Sequence, residues 1–150
     1  MPKREFEPQT AELATQPKRG RLRFTDFHIL RNSQGGCTVE VELEWIDGVR
    51  VTGRASGQSS EVVDLRIAAE AALKAIAIFT EGAVELDLIG VKHVRAFDAN
   101  VIIVAISNKK SDGPQRLLGS ALVESDPVHG AVVAVLGATN RVLGNFIATR

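Results

Sequence analysis

The chain has 150 residues, 45% of them hydrophobic, with 18 basic side chains against 18 acidic ones. A chain of this length buries roughly two-thirds of the surface its unfolded form exposes, enough for one domain with a real core. The cancelling charges exclude a global field that would draw it to nucleic acid or an anionic membrane.

The longest uninterrupted apolar stretches, such as Val101–Ile106 and Ala131–Leu136, fall well short of the roughly 18 to 20 residues a bilayer span needs, so no membrane segment is expected. Met1-Pro2-Lys3-Arg4 leads into Glu5, Glu7 and Pro8 in place of an apolar run, which does not read as a secretory signal. The single cysteine, Cys37, permits no internal disulfide and suits a reducing compartment, so a cytoplasmic location is expected.

Residues 1–20 carry three prolines, seven charged side chains and only isolated apolar ones (Phe6, Leu13). Too little apolar area is available there to offset the entropy of ordering, and the segment reads as a disordered tail. The domain is expected over residues 21–146, as repeat one (21–81) and repeat two (83–146).

In the first strand Leu22 and Phe24 share a face, and Phe27 and Ile29 share one after a phase change at Thr25-Asp26, which predicts a bulge. In the next, Val39, Val41, Leu43 and Trp45 alternate with Thr38, Glu40, Glu42 and Glu44, so one face is core and the other acidic. A two-residue Asp47-Gly48 turn would set Trp45 against Arg50 and mix the two faces. A three-residue loop, Ile46-Asp47-Gly48, instead pairs Trp45 with Val49, Leu43 with Val51 and Val41 with Gly53, and it sets Glu44 against Arg50 and Glu40 against Arg54. Gln58-Ser59-Ser60 then offers an N-cap for a helix to about Phe79. Its buried stripe is Leu65, Ala68, Ala69, Ala72, Ile76 and Phe79; Arg66, Glu70 and Lys74 form an exposed ladder, and Gly82 stops it.

The pattern then repeats. Val84, Leu86 and Leu88 alternate with acids, and the phase changes again, at Ile89-Gly90. Asn100–Asn108 is an apolar second strand, Ser107–Pro114 a polar loop, and a third strand ends Leu118–Val123, with Gly119-Ser120-Ala121 standing where Gly53-Arg54-Ala55 stood. Asp126 as N-cap and Pro127 in the first turn open the last helix. Ala131, Leu136 and Ala138 match Ala68, Leu73 and Ala75 if the first helix has a lead-in loop three residues longer. The expected fold is α+β: two β-β-β-α repeats related by a pseudo-two-fold axis, with helices on one face of antiparallel sheet.

The second helix lacks the first one's charged ladder. A helical wheel puts Val128, Ala131, Val132, Val135, Ala138 and Val142 on one side and Gly130, Val133, Ala134 and Gly137 on the opposite arc. The outward residues of the last strand, Arg116, Leu118, Ser120 and Leu122, are also more apolar than Arg50, Thr52 and Arg54 in the first repeat. These six residues (Leu118, Leu122, Gly130, Val133, Ala134, Gly137) are the expected interface of a homodimer or higher homo-oligomer.

His28, His93 and His129 lie apart, with no metal-ligand spacing, and Cys37 and the serines have no nucleophile motif around them. The expectation is therefore no metal, no cofactor and no enzyme. A small carboxylate or amino-acid ligand would suit the helix N-termini presented by Ser56, Gly57, Gln58, Ser59 and Ser60 in one repeat and Ser125 and Asp126 in the other.

β-β-β-α units resemble double-stranded RNA-binding domains, which carry basic residues at the helix N-terminus. Here Glu61 and Asp64, or Asp126, stand there instead, which leaves nucleic acid as the competing partner only through the basic residues Lys18, Arg19, Arg21 and Arg23. The segment Cys37–Gly57 and the closing run Ala138-Thr139-Asn140-Arg141-Val142-Leu143 resemble the first unit and the terminal Ala-x-Asn-Arg-x-Leu helix of the C-terminal regulatory domain of 2-isopropylmalate synthase, over about residues 21–146. Gly57 is followed by Gln58–Asp64 in place of that family's Gly-Pro-Val-Asp-Ala loop, keeping a Val-Asp pair. The resemblance implies a stand-alone, non-catalytic allosteric and dimerisation module; the family's catalytic barrel has no counterpart in the chain.

Overall fold

The computed structural model describes residues 22–109 and 115–148. The tail expected over residues 1–20 and the middle of the loop after Asn108 lie outside the described residues. Strict alternation decides the first unit. Val39, Val41 and Leu43 are fully buried on one face of the central strand, each contributing about 1.5–3 kcal/mol through removal from water. The strands are β1 (Arg23–Arg31), β2 (Gly36–Glu44) and β3 (Arg50–Gln58), antiparallel in the order β1-β2-β3. Helix α1 (Glu61–Phe79) follows.

The register is the one that keeping core and solvent faces apart demands. Leu43 pairs with Val51, Val41 with Gly53, Glu44 with Arg50 and Glu40 with Arg54. The loop has three residues, closed by the Trp45 N–H donating to the Val49 carbonyl at 2.9 Å. Gly48 takes φ +90°, a conformation that a side chain would strain. Across the outer face Arg50 pairs with Glu44 at 3.3 Å, and Arg54 with Glu40.

The second unit repeats the arrangement with β4 (Leu86–Ala96), β5 (Ala99–Asn108), β6 (Gln115–Leu122) and α2 (Pro127–Ala148). Its strands form a separate antiparallel sheet in the order β4-β5-β6. The bulge in β1 falls between the residues opposite Leu43 and Glu42, and the bulge in β4 between those opposite Ile106 and Ala105. Val41 faces Gly53 and Val104 faces Gly119. A Cβ at Gly53 would run into the Ala71 carbonyl and the Ala75 nitrogen, and one at Gly119 into the Ala134 carbonyl and the Ala138 nitrogen. Glycine is what lets each helix lie against its strand in both units.

The helix correspondence is therefore Ala71 with Ala134 and Ala75 with Ala138, which carries Ala68 onto Ala131 and Leu73 onto Leu136. The three extra residues of unit one are not loop, as expected, but helix. Ser60 caps α1 by accepting the Val63 N–H at 3.1 Å, so residues 61–63 add a turn that α2 lacks. α2 starts at Pro127 with Asp126 accepting the Val128 N–H at 2.9 Å.

One core joins the units. α1 packs on β2 and β3 and also meets β4; α2 packs on β5 and β6, and the two helices pack on each other. His129 of α2 lies against Phe24 and Phe27 of β1, with ring centroids 4.9 and 5.7 Å away. Each helix thus touches its own sheet and the first strand of the other unit. α2 is nevertheless long and apolar enough to cross a bilayer, which uninterrupted runs did not reveal because Gly, Thr and Asn are interspersed. In this fold Ala131, Val132, Ala134 and Val135 are fully buried core. The β4–β5 hairpin turns on Phe97 and Asp98, both at positive φ (55° and 60°), with the Phe97 side chain fully exposed.

Candidate functional site

The helix starts are built from short polar side chains because an unpaired first turn leaves backbone N–H groups to satisfy. At α1 the chain satisfies them itself. Ser60 caps the turn, and the Ser59 hydroxyl donates to the Asp64 carboxylate at 2.9 and 3.2 Å, while the Ser59 N–H reaches the Gly35 carbonyl at 2.8 Å. Arg31, at the end of β1, donates to Asp64 Oδ2 at 2.9 Å. Ser56 sits on the outer face with its hydroxyl 2.8 Å from that of Thr38, Gly57 lies beneath Ile67, and the Gln58 amide reaches the Gln34 carbonyl.

Burial pushes the Asp64 carboxyl up, but hydrogen bonds from Arg31, Ser59 and Cys37 outweigh it and hold Asp64 below the ordinary carboxylate value. Burial likewise raises the Cys37 thiol, helped by Asp64, with Arg31 pulling the other way. Arg31 is raised, chiefly by its hydrogen bond to Asp64, and the Asp126 carboxylate adds to the field on it. A raised, buried thiol is protonated at neutral pH and a poor nucleophile.

Ser125 and Asp126 line a groove of about 330 Å³ beside the start of α2, together with Glu124, His129, Leu122 and Val133. The structure thus groups Ser59 and Ser60 around Asp64, and Ser125 and Asp126 around a groove, with Arg31 feeling both acids. It does not bring Ser56 and Gln58 into either group. Sequence reasoning missed Arg31 and Cys37 as partners of Asp64, because both are too distant in the chain for a local pattern to link them. Among the described residues no group of three His, Cys, Asp or Glu side chains is placed to hold a metal. Arg31, Arg50, Arg54 and Arg66 each pair with a carboxylate.

The interface residues divide. Leu118 and Leu122 on β6 are 67% and 62% exposed, and Val133 and Gly137 on α2 are exposed beside them. Gly130 and Ala134 are buried, contrary to the wheel. A Cβ at Gly130 would meet Ile102 and Val123, and Ala134 lies over Gly119. The wheel failed there because α2 is covered both by its own sheet and by α1, so that more than half of its circumference faces inward. Around Leu118 the surface continues through the half-exposed side chains of Ile103 and Ile89 on the outer face of the second sheet.

Compared with models of known protein families the chain matches none, and a search of curated proteins likewise returns no match.

Proposed function

We propose that the chain is a non-catalytic, self-associating binding or regulatory module, akin to a stand-alone form of the 2-isopropylmalate synthase regulatory domain that the sequence resembles. One observation carries the reading: the second unit exposes Leu118, Leu122 and Val133 side by side, where the first unit carries the polar Thr52 and Ser56 and a Glu70 paired with Arg66. Contiguous apolar surface of this kind is characteristic of protein interfaces. The hydroxyls at the start of α1 are engaged by Asp64 and the helix backbone, so a small ligand belongs at the groove beside Ser125 and Asp126, where an amino acid, with an ammonium to meet Glu124 and Asp126, fits better than a bare carboxylate.

Light scattering at micromolar concentration is expected to give a mass of at least two chains, and a monomer would remove the self-association half of the reading. A thermal-shift screen of amino acids and small acids tests the other half: stabilisation at millimolar concentration supports it, and none leaves association alone. Filter binding of RNA at low salt would, if positive and steeply salt-dependent, favour the nucleic-acid alternative.

A further inference from the structure

Among the described residues β6 is the outer strand of its sheet, hydrogen-bonded only to β5. The Val123 N–H donates to the Asn100 carbonyl at 2.9 Å. Backbone groups alternate sides along a strand, so the odd-numbered residues of β6 turn theirs to β5, and Arg116, Leu118, Ser120 and Leu122 present theirs at the open edge. The side chains of these four point away from α2, since Gly119 is the one whose Cβ would strike it.

An antiparallel partner at this edge has to pair even-numbered residues with even-numbered ones. When the partner is a second copy, one such register sets Ser120 against Ser120, Leu118 against Leu122 and Arg116 against Glu124. It matches apolar with apolar and basic with acidic, twice each. The strand is complementary to itself, and its free leucines are the ones that become covered. The first unit shows how this edge is normally blocked. In β3 the same register would set Arg54, the counterpart of Ser120, against itself, and edge strands are commonly protected by charge in this way. On α2, Val133 and Gly137 stand where α1 carries Glu70 and Lys74, so the helix flank beside the edge is cleared of charge as well.

Resting on the self-association reading, we infer that two copies of the chain join through β6, antiparallel about a two-fold axis at Ser120, into one continuous six-stranded sheet. Light scattering and thiol cross-linking on the full chain test it. Ser120→Arg, which installs the residue of unit one, raises the dimer dissociation constant by about tenfold or more. Leu118→Thr, again the residue of unit one, weakens the dimer in the same direction and serves if the first variant misfolds. Ser120→Cys is linked to a covalent dimer by a short bismaleimide. Arg54→Cys is not, nor is the unsubstituted chain, whose Cys37 is buried. Arg116→Glu weakens the dimer, and adding Glu124→Arg restores it. A chain that is monomeric throughout overturns self-association and this interface together. A dimer that ignores Ser120→Arg and leaves Ser120→Cys unlinked keeps self-association and overturns the β6 pairing. A dimer that forms only after removal of residues 1–20 assigns the edge to that segment and also overturns the proposal.

Discussion

Unit one and unit two agree wherever helix meets strand and part wherever the surface meets solvent. Gly53 and Gly119, Ala71 and Ala134, Ala75 and Ala138 hold the same places, and the bulges of β1 and β4 stand opposite the same positions. Against that shared interior, Thr52, Arg54 and Ser56 become Leu118, Ser120 and Leu122, and Glu70 and Lys74 become Val133 and Gly137. Close packing tolerates little change in volume, whereas an outward position is held only by what touches it. On the proposed self-association, the divergence of the second unit marks where a second chain would sit.

The comparison is broken most severely at its shared points. Gly53→Ala and Gly119→Ala each force a methyl group into helix backbone, with an expected loss of about 3 kcal/mol or more in urea unfolding, beyond the usual 1–3 kcal/mol of overpacking because backbone yields less than side chains. Equal losses support the equivalence of the two units; a harmless Gly119→Ala would end it. Leu43→Ala and Ile106→Ala, at corresponding fully buried positions, are expected to cost about 2–5 kcal/mol each by the same measurement.

Smaller effects sharpen what is particular to unit one. Pro127 stands in α2 where Asp64 stands in α1, so only α1 has the Arg31–Ser59–Asp64 clasp. Asp64→Asn is expected to cost about 1–3 kcal/mol. Because the folded state depresses the Asp64 carboxyl, its contribution is complete above the ordinary carboxylate value of about 4 and is lost as pH falls through the lower folded value. Urea unfolding between pH 6 and pH 2 should therefore show a shallower acid loss for the Asn variant; parallel curves would mean that Asp64 does not carry it. Arg54→Ala removes an exposed pair and should change stability by no more than about 1 kcal/mol. In the second hairpin Phe97→Asn relieves a bulky residue at positive φ and is expected to stabilise by about 0.5–1 kcal/mol, visible as a raised thermal midpoint.

Much of the architecture was legible in the chain because alternation is a local signal. Thr38–Trp45 announced its two faces, and the ion pairs Glu44–Arg50 and Glu40–Arg54 followed once the faces had to stay apart. Phe97-Asp98 was not legible as a two-residue turn, since neither residue is the glycine or asparagine that a positive φ favours. Of the candidate ligand residues, Ser59, Ser60, Ser125 and Asp126 do stand at helix starts, with the hydroxyls at α1 engaged, but Ser56, Gly57 and Gln58 belong to β3. Arg31, which holds Asp64, lies 33 residues from it, beyond the reach of any local pattern.

From sequence alone came the repeat, the register of β2 against β3, the bulges and both helix caps, all of which depend on period, turn chemistry and neighbours a few residues apart. Tertiary structure alone decided that the strands close as two sheets, that each helix is covered from a second side, and hence that Gly130 and Ala134, expected outside with Leu118, Leu122, Val133 and Gly137, are interior. A helical wheel records the direction of each side chain around an axis. How many neighbours surround that axis is settled only when distant segments pack.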